Sequence, residues 1–240
     1  MRTLFTYRGL EELGESIIYD YTGGNPEKMS CIDIDGLNRD HLGISICYEK
    51  FAEQDKSKIG FLADGRTALS VYRNGKVLEV IFPCKTIVLD NYLLRTEESS
   101  RRRFTLAHET GHFLLERYNP LQMECYRKKV DTSQEYLPQE MKEDHEIMEN
   151  QANRLAAVLL MPRYTVFCNL AKYTEKKEIC IYGRYNFAPD DKLAIMRAAD
   201  DTGVSFTAFK NRLDELRILK HCPMRDFLYS DFKREVSCNG

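Results

Sequence analysis

The sequence predicts an α+β fold: a small antiparallel or mixed sheet in the first half of the chain, two long helices, and a helical segment toward the C-terminus. Three observations carry that expectation. Residues 44–90 hold short runs of branched and aromatic side chains separated by turn formers. Two later stretches, one starting at Ser99 or Ser100 and one spanning 141–161, repeat their apolar residues at helical spacing. Beyond them two shorter helical patterns, 190–199 and 205–219, are joined by Asp200-Asp201-Thr202-Gly203.

Residues 10–21 suit a short helix ended by Gly23-Gly24-Asn25-Pro26, and residues 1–30 read as a loosely attached arm. The runs 67–73 and 76–82 flank Asn74-Gly75, the pair most compatible with a two-residue hairpin turn. Residues 60–63 and 86–90 read as further strands, and 86–90 is expected to lie along a bound polypeptide. Ser99 or Ser100 is expected to cap the first long helix. Arg101, Arg102 and Arg103 follow and are expected to form a solvated face, because cations in a first helical turn oppose the macrodipole. Residues 116–140 are polar, with breakers at Pro120 and Pro138, and read as a loop or small insertion. The second long helix stops at Pro162. A connection through 164–188 then leads to the helical pair, with Ser205 or Thr207 as cap of its second member. The tail holds a short helix around 225–232.

Composition narrows the class. The chain has 240 residues, long enough for a core without disulfides, and a net charge of −2, which gives no whole-chain case for nucleic-acid binding. No apolar run approaches the ~20 residues of a membrane span, and the N-terminus lacks the apolar segment of a signal peptide, so the chain is expected in the cytoplasm. The eight cysteines form no Cys-x-x-Cys pair and read as reduced thiols.

The chemistry concentrates at His108-Glu109-Thr110-Gly111-His112, set in an apolar run of Leu106, Phe113, Leu114 and Leu115. Residues four apart share a helix face, so His108 and His112 can both point at one Zn²⁺, and Glu109 can reach a water on it as general base. Two histidines and a glutamate buried among leucines would be costly without such a partner. A catalytic zinc takes a third protein ligand. Glu149, where the polar half of the second long helix gives way to the apolar half, can supply it. His145, one turn earlier, is a second candidate, either as ligand or as donor to a developing oxyanion, although its charged surroundings also suit an ordinary surface histidine. Asn153, one turn after Glu149, can hydrogen-bond a ligand histidine. Tyr118, Tyr126, Tyr182 and Tyr185 are further candidate oxyanion donors, while His41 and His221 fall outside any ligand spacing.

Together, Phe104-Thr105-Leu106-Ala107-His108-Glu109-Thr110-Gly111-His112-Phe113-Leu114-Leu115 and Glu149-x-x-Ala152-Asn153-x-x-Ala156-Ala157-x-Leu159-Leu160-Met161-Pro162 resemble the ImmA/IrrE metallopeptidase family of bacteria and their mobile elements. Looser likeness at Gly203-Val204-Ser205 and Arg212-Leu213-x-x-Leu216 extends the resemblance over about residues 30–220. It implies a zincin-like core with a gluzincin-like site: His108, His112 and Glu149 on Zn²⁺, Glu109 as base. It also implies a protein substrate, typically a helix-turn-helix repressor whose loss releases a silenced operon. The expected organisation is then an arm (1–30), a zincin-like peptidase domain (31–188) and a helix-turn-helix-like segment (189–240).

The expectation is therefore a cytoplasmic zinc endopeptidase. The competing expectation is a non-proteolytic module that binds a repressor or antitoxin and carries a zinc site. Direct DNA binding through 190–220 is a third. It needs Lys210, Arg212, Arg217 and Lys220 on an accessible face, against interruption by Asp214 and Glu215, and simple packing of the two helices is the favoured reading.

Overall fold

The computed structural model describes residues 5–53, 57–118, 139–183 and 186–228. Helix α1 (Tyr7–Tyr21) is capped by the Thr6 side chain, which accepts from the Gly9 N–H. A short helical turn, α2 (Ile34–Gly36), runs on into a wider π-type stretch over Leu37–Leu42. Strands β1 (Ser45–Glu49), β2 (Gly60–Ala63), β3 (Ala68–Arg73), β4 (Lys76–Ile81) and β5 (Thr86–Asp90) follow. Next come the long helices α3 (Ser99–Tyr118) and α4 (Gln139–Leu160), then α5 (Arg163–Ala171), strand β6 (Ile179–Tyr182), α6 (Pro189–Thr202), α7 (Phe206–Glu215) and strand β7 (Leu219–Cys222).

The architecture is α+β. Three strands form a mixed sheet in the order β1-β5-β2, with β1 parallel and β2 antiparallel to β5. β3 and β4 form the expected hairpin, with Asn74 at φ 53° and Gly75 at φ 76°, the left-handed pair that a tight hairpin turn needs. β6 and β7 make a separate parallel pair. Ser205 caps α7 by accepting from the Ala208 N–H at 3.2 Å, as the sequence suggested.

One hydrophobic core runs through the molecule. It joins Leu10, Ile17 and Ile18 of α1, Ile87 and Leu89 of β5, Leu106 and Leu114 of α3, Leu155 and Leu159 of α4, and Ile195 and Phe209 of α6 and α7. Residues 7–21, read from the sequence as part of a loose arm, thus form a packed helix. A smaller cluster of Phe51, Leu69, Val71, Phe82 and Val88 lies under the hairpin. Among the described residues no helix is long and apolar enough to cross a membrane.

Several local expectations are overturned. β5 is the central strand, paired on both edges, so its backbone groups are engaged and it cannot pair with a bound polypeptide. Ser99 does not cap α3. It is already helical (φ −51°, ψ −51°), because a 3₁₀ turn over Thr96–Glu98 feeds straight into the helix. Arg102 and Arg103 are not a solvated face. Arg102 donates to Asp35 and to the Tyr48 hydroxyl, both at 2.9 Å, and Arg103 donates to the carbonyls of Gly203 and Ile32 at 3.0 and 2.8 Å. The connection after Pro162 contains α5 and β6. α7 stops at Glu215, where Arg217 at φ 58° turns the chain into β7, and residues 224–228 form a further helical stretch, in line with the short helix expected in the tail.

The basic residues of α7 meet a similar fate at one key position. Arg212 is fully buried and forms a paired contact with Glu11 of α1. It also donates to the Met161 carbonyl at 2.9 Å and to Glu215 at 3.1 Å. Arg154 of α4 joins the group through Glu215 at 3.1 Å. Arg212 is therefore unavailable to a nucleic acid; it ties α1 and α7 to the end of α4. Removing one partner of a buried pair typically costs about 3–5 kcal/mol, because the other charge is stranded. Arg212→Ala is expected to lose stability in that range by urea unfolding. Glu11→Gln/Arg212→Met, which removes both charges, is expected to recover much of it.

Candidate metal centre

α3 places its functional side chains by periodicity. Leu106, Ala107, Leu114 and Leu115 are buried on its core side, which turns His108 and His112 together toward a cleft. Gly111, between them, fixes how close α4 can come. A Cβ at that position would sit 2.9 Å from the Ala152 carbonyl oxygen and 3.3 Å from its Cα. With glycine there and alanine opposite, the two backbones nearly touch, and Glu149 and Asn153 of α4 reach the histidines.

His108 Nε2 and His112 Nε2 stand 3.0 Å apart. Glu149 carboxylate oxygens lie 3.3 Å from each of them. Among the described residues, His108, His112 and Glu149 form the group able to hold a metal ion. The spacing tests the fit. Donors at ~2.0–2.1 Å around a tetrahedral ion stand about 3.3 Å from one another. The nitrogens, 3.0 Å apart and each 3.3 Å from one oxygen of Glu149, come close to that separation, and two imidazoles with one carboxylate is a donor set suited to zinc.

Asn153 settles the tautomer of His108. Its amide oxygen lies 2.9 Å from His108 Nδ1 and can only accept, so Nδ1 carries the proton and Nε2 faces the other donors. Burial opposes the charged form of His108. The Glu149 hydrogen bond and the charges of Glu109 and Glu149 outweigh it and raise the pKa of the ring. Hydrogen bonds from both histidines hold the Glu149 carboxyl well below the usual carboxylate range. The point that attracts a proton is the point a divalent cation would take.

Glu109 is held differently. It is 8% exposed, and burial pushes its pKa up against the lowering pull of both histidines. Its carboxylate accepts a hydrogen bond from the Leu62 N–H of β2. Gly60 makes room for this: a Cβ there would lie 2.5 Å from Glu109 Oε1 and 2.7 Å from Thr105 Cγ2. Beside the triad is a cleft of about 740 Å³ walled by Lys58–Leu62 and by α3, with Glu109 on its lining. The wall formed by β2 was not apparent in the sequence. Gly60, standing alone before an apolar run, was its one visible sign.

Of the other candidates, Tyr118 is 53% exposed, and neither it nor Tyr182 lines the cleft. His145 lies on α4, but its side chain falls outside the described residues, as do Tyr126 and Tyr185 and most of the segment 116–140. His221 pairs with Asp214 at 3.0 Å on the surface, and His41 packs edge-on against Tyr21.

A helix carrying His-Glu-x-x-His, a second helix completing a three-donor group, and a mixed sheet alongside define a peptidase-type site. The family comparison agrees: the model of the IrrE N-terminal-like domain, Peptidase M78, matches residues 39–214. The chain belongs to that peptidase family. No curated protein matches the chain.

Two substitutions check the geometry by zinc titration of the purified protein. Asn153→Ala frees the His108 ring and is expected to weaken zinc about 10–100-fold, the usual effect of losing such a partner. Gly111→Val forces α4 away. It is expected to cost about 1–3 kcal/mol of stability as overpacking, and to weaken zinc as well. Unchanged zinc affinity in both variants would mean that the three donors are not the site.

Proposed function

We propose that this protein is a zinc-dependent endopeptidase whose substrate is a helix-turn-helix repressor. The observation that carries the reading is the separation of His108, His112 and Glu149, close to that of tetrahedral ligands, with Glu109 buried beside them and lining the same cleft. His108, His112 and Glu149 would hold Zn²⁺, which when bound acidifies water and polarises a carbonyl. Glu109 takes the proton of the attacking water and passes it to the leaving amine. Burial favours this exchange, since it lifts Glu109 toward a range where it both accepts and returns a proton. Asn153 keeps the His108 ring in register.

The backbone of the substrate is assigned to β2 rather than β5. β2 is an edge strand of the sheet and also a wall of the cleft, so it can pair with an extended chain through main-chain hydrogen bonds. Membership in a peptidase family supports a protein substrate. The choice of a helix-turn-helix repressor rests on the resemblance of the two helical motifs.

Glu109→Gln tests the reading. It keeps shape and donor set, so zinc content and folding are expected to match wild type. Cleavage of a co-expressed candidate repressor is expected to fall by at least about 100-fold, the lower range for general-base loss. The variant should still associate with the repressor. Release of the repressor from its operator to the same extent by wild type and variant, with no fragment from either, would replace the endopeptidase reading with the non-proteolytic binding module.

A further inference from the structure

A second cavity adjoins the cleft beside the His108, His112 and Glu149 group. It has a volume of about 850 Å³ and shares Phe104 and Asn153 with the cleft lining. The helices explain the continuity. As α4 runs from Glu149 to Met161 it passes α3 residues from His112 back toward Ser100, so the two are antiparallel. Phe104 lies one turn before His108, and Ala157 one turn after Asn153, so each continues the face that carries the candidate ligand or its partner. α7 closes the far side along its length, from Thr207 to Glu215.

The chemistry of the cavity differs from that of the cleft. Phe104, Ala157, Met161, Val204 and Ala208 give it apolar walls, with Glu97 and Arg101 among its polar lining residues. Arg154 and Arg212 also line it, but Glu11 and Glu215 neutralise them. Distance links it to the reaction. One helical turn is ~5.4 Å, and an extended polypeptide advances ~3.3 Å per residue. A chain lying across the triad therefore brings a side chain to the cavity mouth within about two residues of the cut bond.

We infer that this cavity is a specificity pocket that takes a bulky apolar side chain of the substrate, at a fixed position within about two residues of the scissile bond. The inference rests on the endopeptidase reading and adds to it a sequence preference built partly from α7. Ala157 and Ala208 are partly buried at the edge of the core and line the cavity, so enlarging either fills it.

The test uses zinc-loaded full-length protein and a defined peptide library, with cut sites read by mass spectrometry. Wild type is expected to enrich Leu, Met or Phe at one position beside the cut. In Ala208→Phe and Ala157→Phe, the ratio of kcat/KM for bulky against small residues at that position should drop at least about tenfold, the discrimination an apolar pocket gives per methylene or two. In parallel, Glu109→Gln and Glu109→Gln/Ala208→Phe are compared for retention of the same peptides. Cleavage without preference, or with a preference the filled variants keep, overturns the pocket and leaves the endopeptidase reading standing. No cleavage by wild type, with apolar peptides retained by Glu109→Gln and lost on filling, overturns the endopeptidase reading and leaves the pocket standing. Neither cleavage nor selective retention overturns both.

Discussion

The rest of the structure depends on the crossing of α3 and α4 at Gly111 and Ala152. An added methyl group at Gly111 would collide with the backbone of α4, so the crossing exists only because the residue before His112 is glycine. Everything chemical follows from that closeness. The carboxylate of Glu149 stands 3.3 Å from both imidazoles, and Asn153 reaches around to fix the His108 ring. Because the two helices are antiparallel, the same contact sets the register of the groove between them. One stretch of the groove carries polar donors, and the next carries an apolar pocket. A shift of α4 by half a turn would separate the donors and swap the lining of the pocket together.

Around this pair the molecule uses its arginines as ties. Arg102 fastens the start of α3 to Asp35 and Tyr48, and Arg103 fastens it to the carbonyls of Ile32 and Gly203. Arg212 fastens α7 to α1 and to the end of α4. Asn169 of α5 reaches the Ser30 carbonyl and the Thr202 hydroxyl. These links bind segments far apart in sequence to the two ends of the central helix pair. A guanidinium suits the task because its fork can satisfy a carboxylate and a carbonyl at once, in places where a backbone oxygen would otherwise be buried without a donor.

The sequence disclosed those parts that local pattern determines. The shared face of His108 and His112 on α3, the long second helix, the Asn74-Gly75 hairpin and the Ser205 cap all follow from spacing or from one residue's conformational preference. What stayed hidden depends on partners distant in the chain. Residues 86–90 read as a strand, but nothing in a five-residue run says whether it will be central or at an edge. β6 and β7 are four residues each and pair in parallel across about forty residues, so neither carries a turn signal for the other. The arginines were misread for the same reason: a charge run looks solvated until the carbonyls it satisfies are in place. Gly60 and Gly111 were visible as letters, but only the packing shows that a methyl group at either would strike Glu109 or Ala152.

Charge balance connects site and fold. Glu109 is buried, Glu149 is a carboxylate held in its ionised form, and His108 donates from Nδ1 to Asn153. Two carboxyl groups, Glu109 and Glu149, thus face one small space beside the two imidazoles. A divalent cation held by the three donors would offset the carboxylate charge there. An unfolded chain, in which these residues are scattered, has no comparable site. Any affinity for the ion therefore adds directly to folding stability. The same burial that raises the pKa of Glu109 thus sets it beside three donors that a cation would draw together, and the α3–α4 crossing is where the two features meet.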